Sequence, residues 1–320
     1  MSTISIGPLG EWDLAAADHI MRLAFGTFLG LPEPTAFMGD AGYVRTRWVA
    51  DSTAAFGARL DGELVGSNFA THWGSVGIFG PLTVHPAHWN RGIGSRLMEP
   101  VMELFHRWGV THAGLFTFAH SEKHARLYQK FGFWPRFLTA IMARAAPPAT
   151  GGPLDLYSAV PPGERCDCLN ACRAVTGAVY EGFDLEREIR AVDEQGLGDT
   201  VLVMDGSEVV GLAVCHAGPE TEAGSDTCYV KVGVVAPGPG ADSRFTRLLG
   251  ACEAFAAARG LERLNAGVNL GRHEAYRALL DRGYRTILQG VAITVVPRSF
   301  GLLVERPARA ERSMIFGVSR

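Results

Sequence analysis

The chain has 320 residues, 47% hydrophobic and 20% charged, which is enough for two units of ordinary domain size and too apolar for a disordered polymer. A formal net charge of −3 gives no general attraction to nucleic acid or to an anionic membrane, and no apolar run reaches membrane-spanning length. The opening residues, MSTISIGPLGEWD, have neither the basic flank nor the apolar run of a secretory signal, so a cytoplasmic location is expected.

Residues 12–28 place Leu14, Ala17, Ile20, Met21 and Phe25 at helical spacing, and a loop, LGLPEPTAFMGDAGY, follows. DGELVG over 61–66 reads as a hairpin turn between alternating strands. Leu82, Thr83 and Val84 are strand formers, and Pro86 ends their strand. The segment Asn90-Arg91-Gly92-Ile93-Gly94-Ser95 then opens a helix with apolar residues at Leu97, Met98, Val101, Met102, Leu104 and Phe105. Pro100 inside that helix should kink it or shift a boundary. Two glycines at a helix start leave the first amide N–H groups unobstructed at the positive end of the helix dipole, which suits a pyrophosphate, and Arg91 adds charge. A strand over 112–118 and a short helix over 121–133, closed by Gly132, come next.

The stretch ARAAPPATGGP, 143–153, has the composition of a linker. It divides the chain into a first unit, 1–145, a linker, 146–153, and a second unit, 154–320. All six cysteines lie in the second unit, and Cys166, Cys168 and Cys172 lack the spacing of a zinc site. Reduced thiols and no metal are therefore expected.

The order of strand, glycine loop, helix, strand and LY-x-K-x-GF over residues 4–144 resembles the GCN5-related N-acetyltransferase (GNAT) family. The resemblance implies an α/β fold in which a mixed, mostly antiparallel sheet is flanked by helices. It implies acetyl-CoA as cosubstrate, with pantetheine along Leu82, Thr83 and Val84. The pyrophosphate would rest on the amides of Asn90, Arg91, Gly92, Ile93, Gly94 and Ser95. Tyr128 takes the family's catalytic-acid position beside the coenzyme sulfur. A phenol, with a pKa of about 10, can protonate a departing thiolate while staying un-ionised itself. Two departures stand out: Trp89 replaces the usual Gln or Arg ahead of the loop, and Ser121 replaces the usual Asn beside the CoA arm.

The family's N-terminal helices and loop wall the acceptor pocket. Phe25, Phe28, Phe37 and Trp48 suit either that wall or the core. His120 and His72 are candidate general bases or solvated loop histidines, and Asp40 is a weaker candidate that fits a turn beside Gly39.

The second unit repeats the first. DGSEVVG at 205–211 matches DGELVG, Pro237 follows Pro86 by 151 residues, and Gly283 follows Gly132 by the same 151. Carried through the site, that offset sets Asp242, Ser243, Phe245, Arg272 and Leu279 against Arg91, Gly92, Gly94, Ser121 and Tyr128. The second site therefore reads as degenerate, with the phenylalanine blocking the anion site and one CoA bound per chain. The expected whole is two tandem acyl-CoA N-acyltransferase folds in a monomer or homodimer. Transfer of acetyl to a small-molecule primary amine is expected in the first unit. Two alternatives are a non-catalytic acyl-CoA sensor and an acetyltransferase of the mycothiol synthase kind, although in that family the working site is C-terminal.

Overall fold

The computed structural model describes residues 3–149 and 152–295 and the backbone of Met314–Phe316. The first half runs β1 (Ile4–Pro8), α1 (Leu14–Leu29), α2 (Val44–Ala50), β2 (Ala55–Leu60), β3 (Glu63–Trp73), β4 (Val76–Phe79), β5 (Thr83–Val84), α3 (Ile93–Arg107), β6 (His112–Thr117), α4 (Glu122–Gln129) and β7 (Trp134–Ala145). The second half follows with α5 (Arg165–Val179), α6 (Glu186–Gln195), β8 (Gly198–Asp205), β9 (Glu208–Gly218), β10 (Gly224–Val235), α7 (Ala241–Ala258), β11 (Arg263–Asn269), α8 (His273–Asp281), β12 (Arg285–Val295) and β13 (Met314–Phe316).

The 13 strands form one sheet in the order β1-β2-β3-β4-β6-β12-β7-β11-β10-β9-β8, with β5 on β3 and β13 on β10. Among the described pairs, β4–β6 and β10–β11 are parallel and the others antiparallel. The sheet is continuous because the halves exchange their last long strands. β12 inserts between β6 and β7, while β7 pairs with β11. The exchange is symmetric in register: Thr117 faces Val291, and Val268 faces Ala140, each residue of the second pair lying 151 from its counterpart in the first.

Packing follows the exchange. α3 and α4 bury Met98, Val101, Phe105 and Tyr128 with Phe79 and Phe133, and Ile293 of β12 completes that core. Gly290 makes the insertion possible, because a Cβ there would lie 2.2 Å from the Phe116 ring. In the second half, α7 and α8 cover one sheet face, and α5 and α6 bury Trp73 and Val76 of the first half on the other. Pro100 sits within α3 without moving either boundary. Arg107 and His106 in its last turn complement the helix dipole.

Candidate functional site: a splayed slot at the start of α3

β4 and β6 pair side by side only from Val76–His112 to Ile78–Gly114. Beyond that point the strands part. β5 stays on β3, with Thr83 opposite Ser67 and Val84 opposite Gly66, whereas the far part of β6 pairs with β12. The segment Leu82–Val84 therefore has one edge on β3 and the other toward an opening in the sheet. Thr83 points inward, buried, with its hydroxyl 3.3 Å from that of Ser67.

Past Val84 the chain makes a short turn over Pro86–His88 and enters α3 through Gly92. Gly92 is the N-cap at φ 78°, a left-handed conformation that favours glycine, and a Cβ there would meet nothing within 4 Å. Asn90 also has positive φ, at 66°. Arg91 and Gly92 are exposed, Gly94 and Ser95 half-buried, and Ile93 is a core residue, so only its backbone is available to a ligand. Gly94 faces α4, where an added Cβ would lie 3.4 Å from Leu127. Such an open helix start fits a pyrophosphate. Trp89 has a defined place here: its indole N–H donates to the Val84 carbonyl at 2.7 Å, and its ring lies under the Lys123 ammonium at 5.2 Å. It thus links the strand end to α4.

Tyr128 is buried on the other wall of the opening. Burial raises its phenol pKa above the usual value, and a hydrogen bond with Thr117 at the end of β6 opposes that only in part. Thr117 lies three residues past Gly114, the last residue of β6 paired with β4, so the phenol sits on the side where the two strands have parted. Ser121 caps α4 by accepting from the His124 N–H at 3.4 Å, which leaves its hydroxyl proton free to donate.

Rings collect at the mouth. Phe25 stacks on Phe37 at 5.3 Å, Phe28 contacts Phe118 at 5.1 Å, and Phe28 also meets His120 at 5.6 Å and His124 at 4.9 Å. His120 is exposed there. His124 is partly buried with its Nδ1 unpaired, and its pKa is lowered by burial and by Lys123 and His120. Trp48 is elsewhere, its indole bonded to the Leu9 carbonyl under α1. His72 is also apart. It faces Gly77 where β4 and β6 are still paired, stacks on Trp108 at 4.6 Å, and has its pKa lowered by burial and Arg187. Asp40 is a junction residue: it accepts from the Ser225 N–H at 2.9 Å and from the Ser225 hydroxyl, contacts that lower its pKa. Phe118, His124 and Thr117 belong to the site without a motif that marks them. Thr117, the polar end of an apolar strand, carried the only local signal.

The second half has the same scaffold and another site. α7 starts at Gly240, φ 82° and ψ 5°, against φ 78° and ψ 1° at Gly92. These equivalent caps are 148 residues apart, so the uniform offset of 151 fails in the loop, which is three residues shorter between Pro237 and Gly240 than between Pro86 and Gly92. The correct partner of Gly94 is Asp242, and that of Arg91 is Pro239. Phe245 replaces Leu97 in the core at 5% exposure and does not obstruct the helix start. The offset of 151 does hold at α8, where Arg272 is the N-cap and Leu279 lies buried in the place of Tyr128. β10 parts from β11 after Val230–Ala266, and β13 lies along the freed edge, with Val232 opposite Phe316 and Val234 opposite Met314.

A sheet that opens beside a glycine-capped helix defines the acyl-CoA N-acyltransferase class of fold. Residues 20–133 match the model of the Acetyltransferase (GNAT) family. The chain as a whole has a tandem GNAT fold. A putative acetyltransferase from Pyrococcus horikoshii matches over 99% of this chain and 94% of its own at 13% identity and a TM-score of 0.67. A GCN5-related N-acetyltransferase from Sphaerobacter thermophilus matches over 93% and 98% at 18% identity and a TM-score of 0.60. A tandem GNAT protein from the clavulanic acid biosynthesis pathway matches over 93% and 100% at 13% identity and a TM-score of 0.54. At these identities the likeness is one of fold. No curated protein sequence matches the chain. Among the described residues, no helix is long and apolar enough to cross a membrane, and no group of three or more His, Cys, Asp and Glu could hold a metal ion.

Proposed function

We propose that the first half is an acetyl-CoA-dependent N-acetyltransferase acting on a primary amine of a small molecule. The observation that carries this reading is the conjunction of an open Leu82–Val84 edge, a glycine-capped helix start at one end of it and the buried Tyr128–Thr117 pair on the other wall of the opening. In this reading the Leu82 and Val84 backbone pairs with pantetheine. The amides from Asn90 to Ser95 take the pyrophosphate, with Arg91 beside them, and the Ser121 hydroxyl donates to the coenzyme arm.

Attack of the amine nitrogen on the thioester carbon forms the C–N bond, and collapse of the tetrahedral intermediate breaks the C–S bond. A strand amide at Leu82 stabilises the oxyanion. Tyr128 gives its proton to the departing thiolate; its raised pKa keeps that proton in place until the sulfur needs it. The amine proton leaves to His120 or to water at the aromatic mouth. Retention of a hydroxyl bonded to Thr117 favours an enzyme over a non-catalytic acyl-CoA sensor, which has no use for an acid there. The test is release of free CoA thiol from acetyl-CoA by purified protein across a panel of amines. Turnover with at least one amine is expected, and absence of turnover with detectable CoA binding would leave the sensor.

A further inference from the structure

Five side chains with ionisable or charged ends are buried together where the second half meets the first. Arg47 of α2 pairs in a fork with Glu222, Nε to Oε1 at 2.7 Å and Nη2 to Oε2 at 3.0 Å. Lys231 lies 3.0 Å from Glu222 and 2.7 Å from Glu188. Glu188 also accepts from the Trp73 indole at 3.0 Å, and His216 Nδ1 accepts from the Glu222 N–H at 3.3 Å. The charges balance, two cations against two carboxylates, with His216 kept neutral as burial lowers its pKa. Burial alone would raise the pKa of Glu222, but Arg47 and Lys231 outweigh it and hold the carboxyl well below the usual range. Apart from Arg47 and the Trp73 indole, these groups all come from the second half.

The guanidinium also reaches the first half's sheet, where Nη1 donates to the carbonyl of Gly80. Gly80 is the residue at which the cofactor-side strand breaks, between β4 and the Leu82–Val84 edge. Its N–H already donates to the Phe69 carbonyl at 2.8 Å. A guanidinium is planar, so a carboxylate that grips one edge fixes the direction of the other. Glu222 thus fixes Arg47, Arg47 fixes the Gly80 carbonyl, and Gly80 sets the heading of the chain into the slot. Pro81 has no N–H, so the first amide that the slot receives after this anchor is that of Leu82.

We infer that Glu222, acting through Arg47, is a positioning residue supplied by the second half for the Gly80–Val84 edge of the first. The inference rests on the reading of that edge as the thioester site. Its expected signature is a loss of alignment without loss of coenzyme, because the pyrophosphate loop lies beyond the opposite end of the edge and has no contact with the network. Misplacement of a reacting group by about 1 Å costs up to roughly a hundredfold in rate.

The experiment compares wild-type full chain with Arg47→Lys, which keeps the charge but not the fork, and with Glu222→Gln. Three quantities are measured: amide exchange of a peptide covering residues 79–85, CoA affinity by calorimetry, and acetyl-CoA turnover by thiol release with water as acceptor. The expected result is exchange about tenfold faster in that peptide and turnover about tenfold lower, with CoA affinity changed by less than about twofold. A purely structural role would lower the melting temperature and spread faster exchange over α2 and β10 without separating turnover from affinity. Should neither single variant fold, Arg47→Met combined with Glu222→Met removes both charges, leaves Lys231 paired with Glu188, and carries the same expectation. Unchanged exchange over 79–85 in any folded variant overturns the inference. If wild-type protein bound no CoA while these variants still loosened 79–85, the link to Gly80 would stand, and the reading of the slot would be what failed.

Discussion

At the start of α3 and of α7 the backbone has nearly the same shape, a left-handed glycine at φ 78° in one and 82° in the other, yet most of the groups a coenzyme would touch around the two caps differ. The first has a turn carrying Trp89 and Arg91, a glycine at 94 and a buried tyrosine at 128. The second has a loop three residues shorter, an aspartate at 242 and a leucine at 279. The sheet registers meanwhile agree residue for residue at an offset of 151, Val76–His112 against Thr227–Arg263. Apolar packing holds the frame in both halves, because a strand or helix out of place costs core burial. The ligand groups contribute little to that burial, so either half folds with or without them. Leu279 is buried in the place of Tyr128 and keeps α8 packed without a hydroxyl.

The strongest way to break this comparison is to give the first site the second site's residue. Gly94→Asp places a carboxylate at the helix start. At about 4 Å from a phosphate that costs about 1 kcal/mol even in bulk water and several times more in a partly closed site. CoA affinity should fall more than about a hundredfold by calorimetry, and an unchanged affinity would show that the aspartate is not what separates the halves. Next in size is Tyr128→Phe, which removes the hydroxyl and keeps the ring. Turnover should drop on the order of a hundredfold while CoA affinity stays within about twofold; wild-type turnover would move the acid role to solvent.

The occupied edge of β10 sharpens the contrast further. Deletion of residues 313–320 removes β13, and the amide of Gly233, which lies opposite Ile315, should then exchange roughly tenfold faster as its pairing is lost. CoA stoichiometry should remain one per chain, since Asp242 and the shortened loop persist; titration to two would show that β13 alone closes the second site.

The smallest effect is on acid stability. Glu188 has its pKa lowered to about 2, because Lys231 and the nearby His216 ring outweigh burial, and Glu222 is lowered as well. A carboxylate with a depressed folded pKa contributes stability above its unfolded pKa and loses it as pH falls toward the folded one. Denaturant unfolding should therefore show a loss of about 1 kcal/mol for the pair between pH 5 and pH 4. Glu222→Gln should reduce that slope by about half.

The parts that were legible in the sequence are those set by neighbours along the chain. Pro86, Gly92 and the apolar spacing from Leu97 to Phe105 specify strand end, cap and helix face within twenty residues, and the N-cap role of Ser121 is likewise local. Asp40 fits a turn beside Gly39 because Asp and Gly suit turns. Two kinds of information were not local. A constant offset counted from Pro86 to Pro237 cannot sense three missing residues beyond those prolines, so Phe245 was misassigned to the anion site. Nor does alternation in β7 and β12 say which strands they pair with, since any edge of matching register satisfies a twelve-residue or eleven-residue strand. Arg47 looks like an ordinary cation on a short helix, and only the approach of Glu222 from 175 residues away gives it a task.

The exchanged strands also decide what a protease can do to this molecule. β7 belongs by sequence to the half before residue 146 but lies between two strands of the half after it, and β12 lies between two strands of the half before. A cut at 146–149 would yield two polypeptides on a denaturing gel and one particle in native chromatography, each piece held by a strand of the other. The connection between the halves is thus needed once, to bring them together at high effective concentration. After that the sheet itself does the tethering.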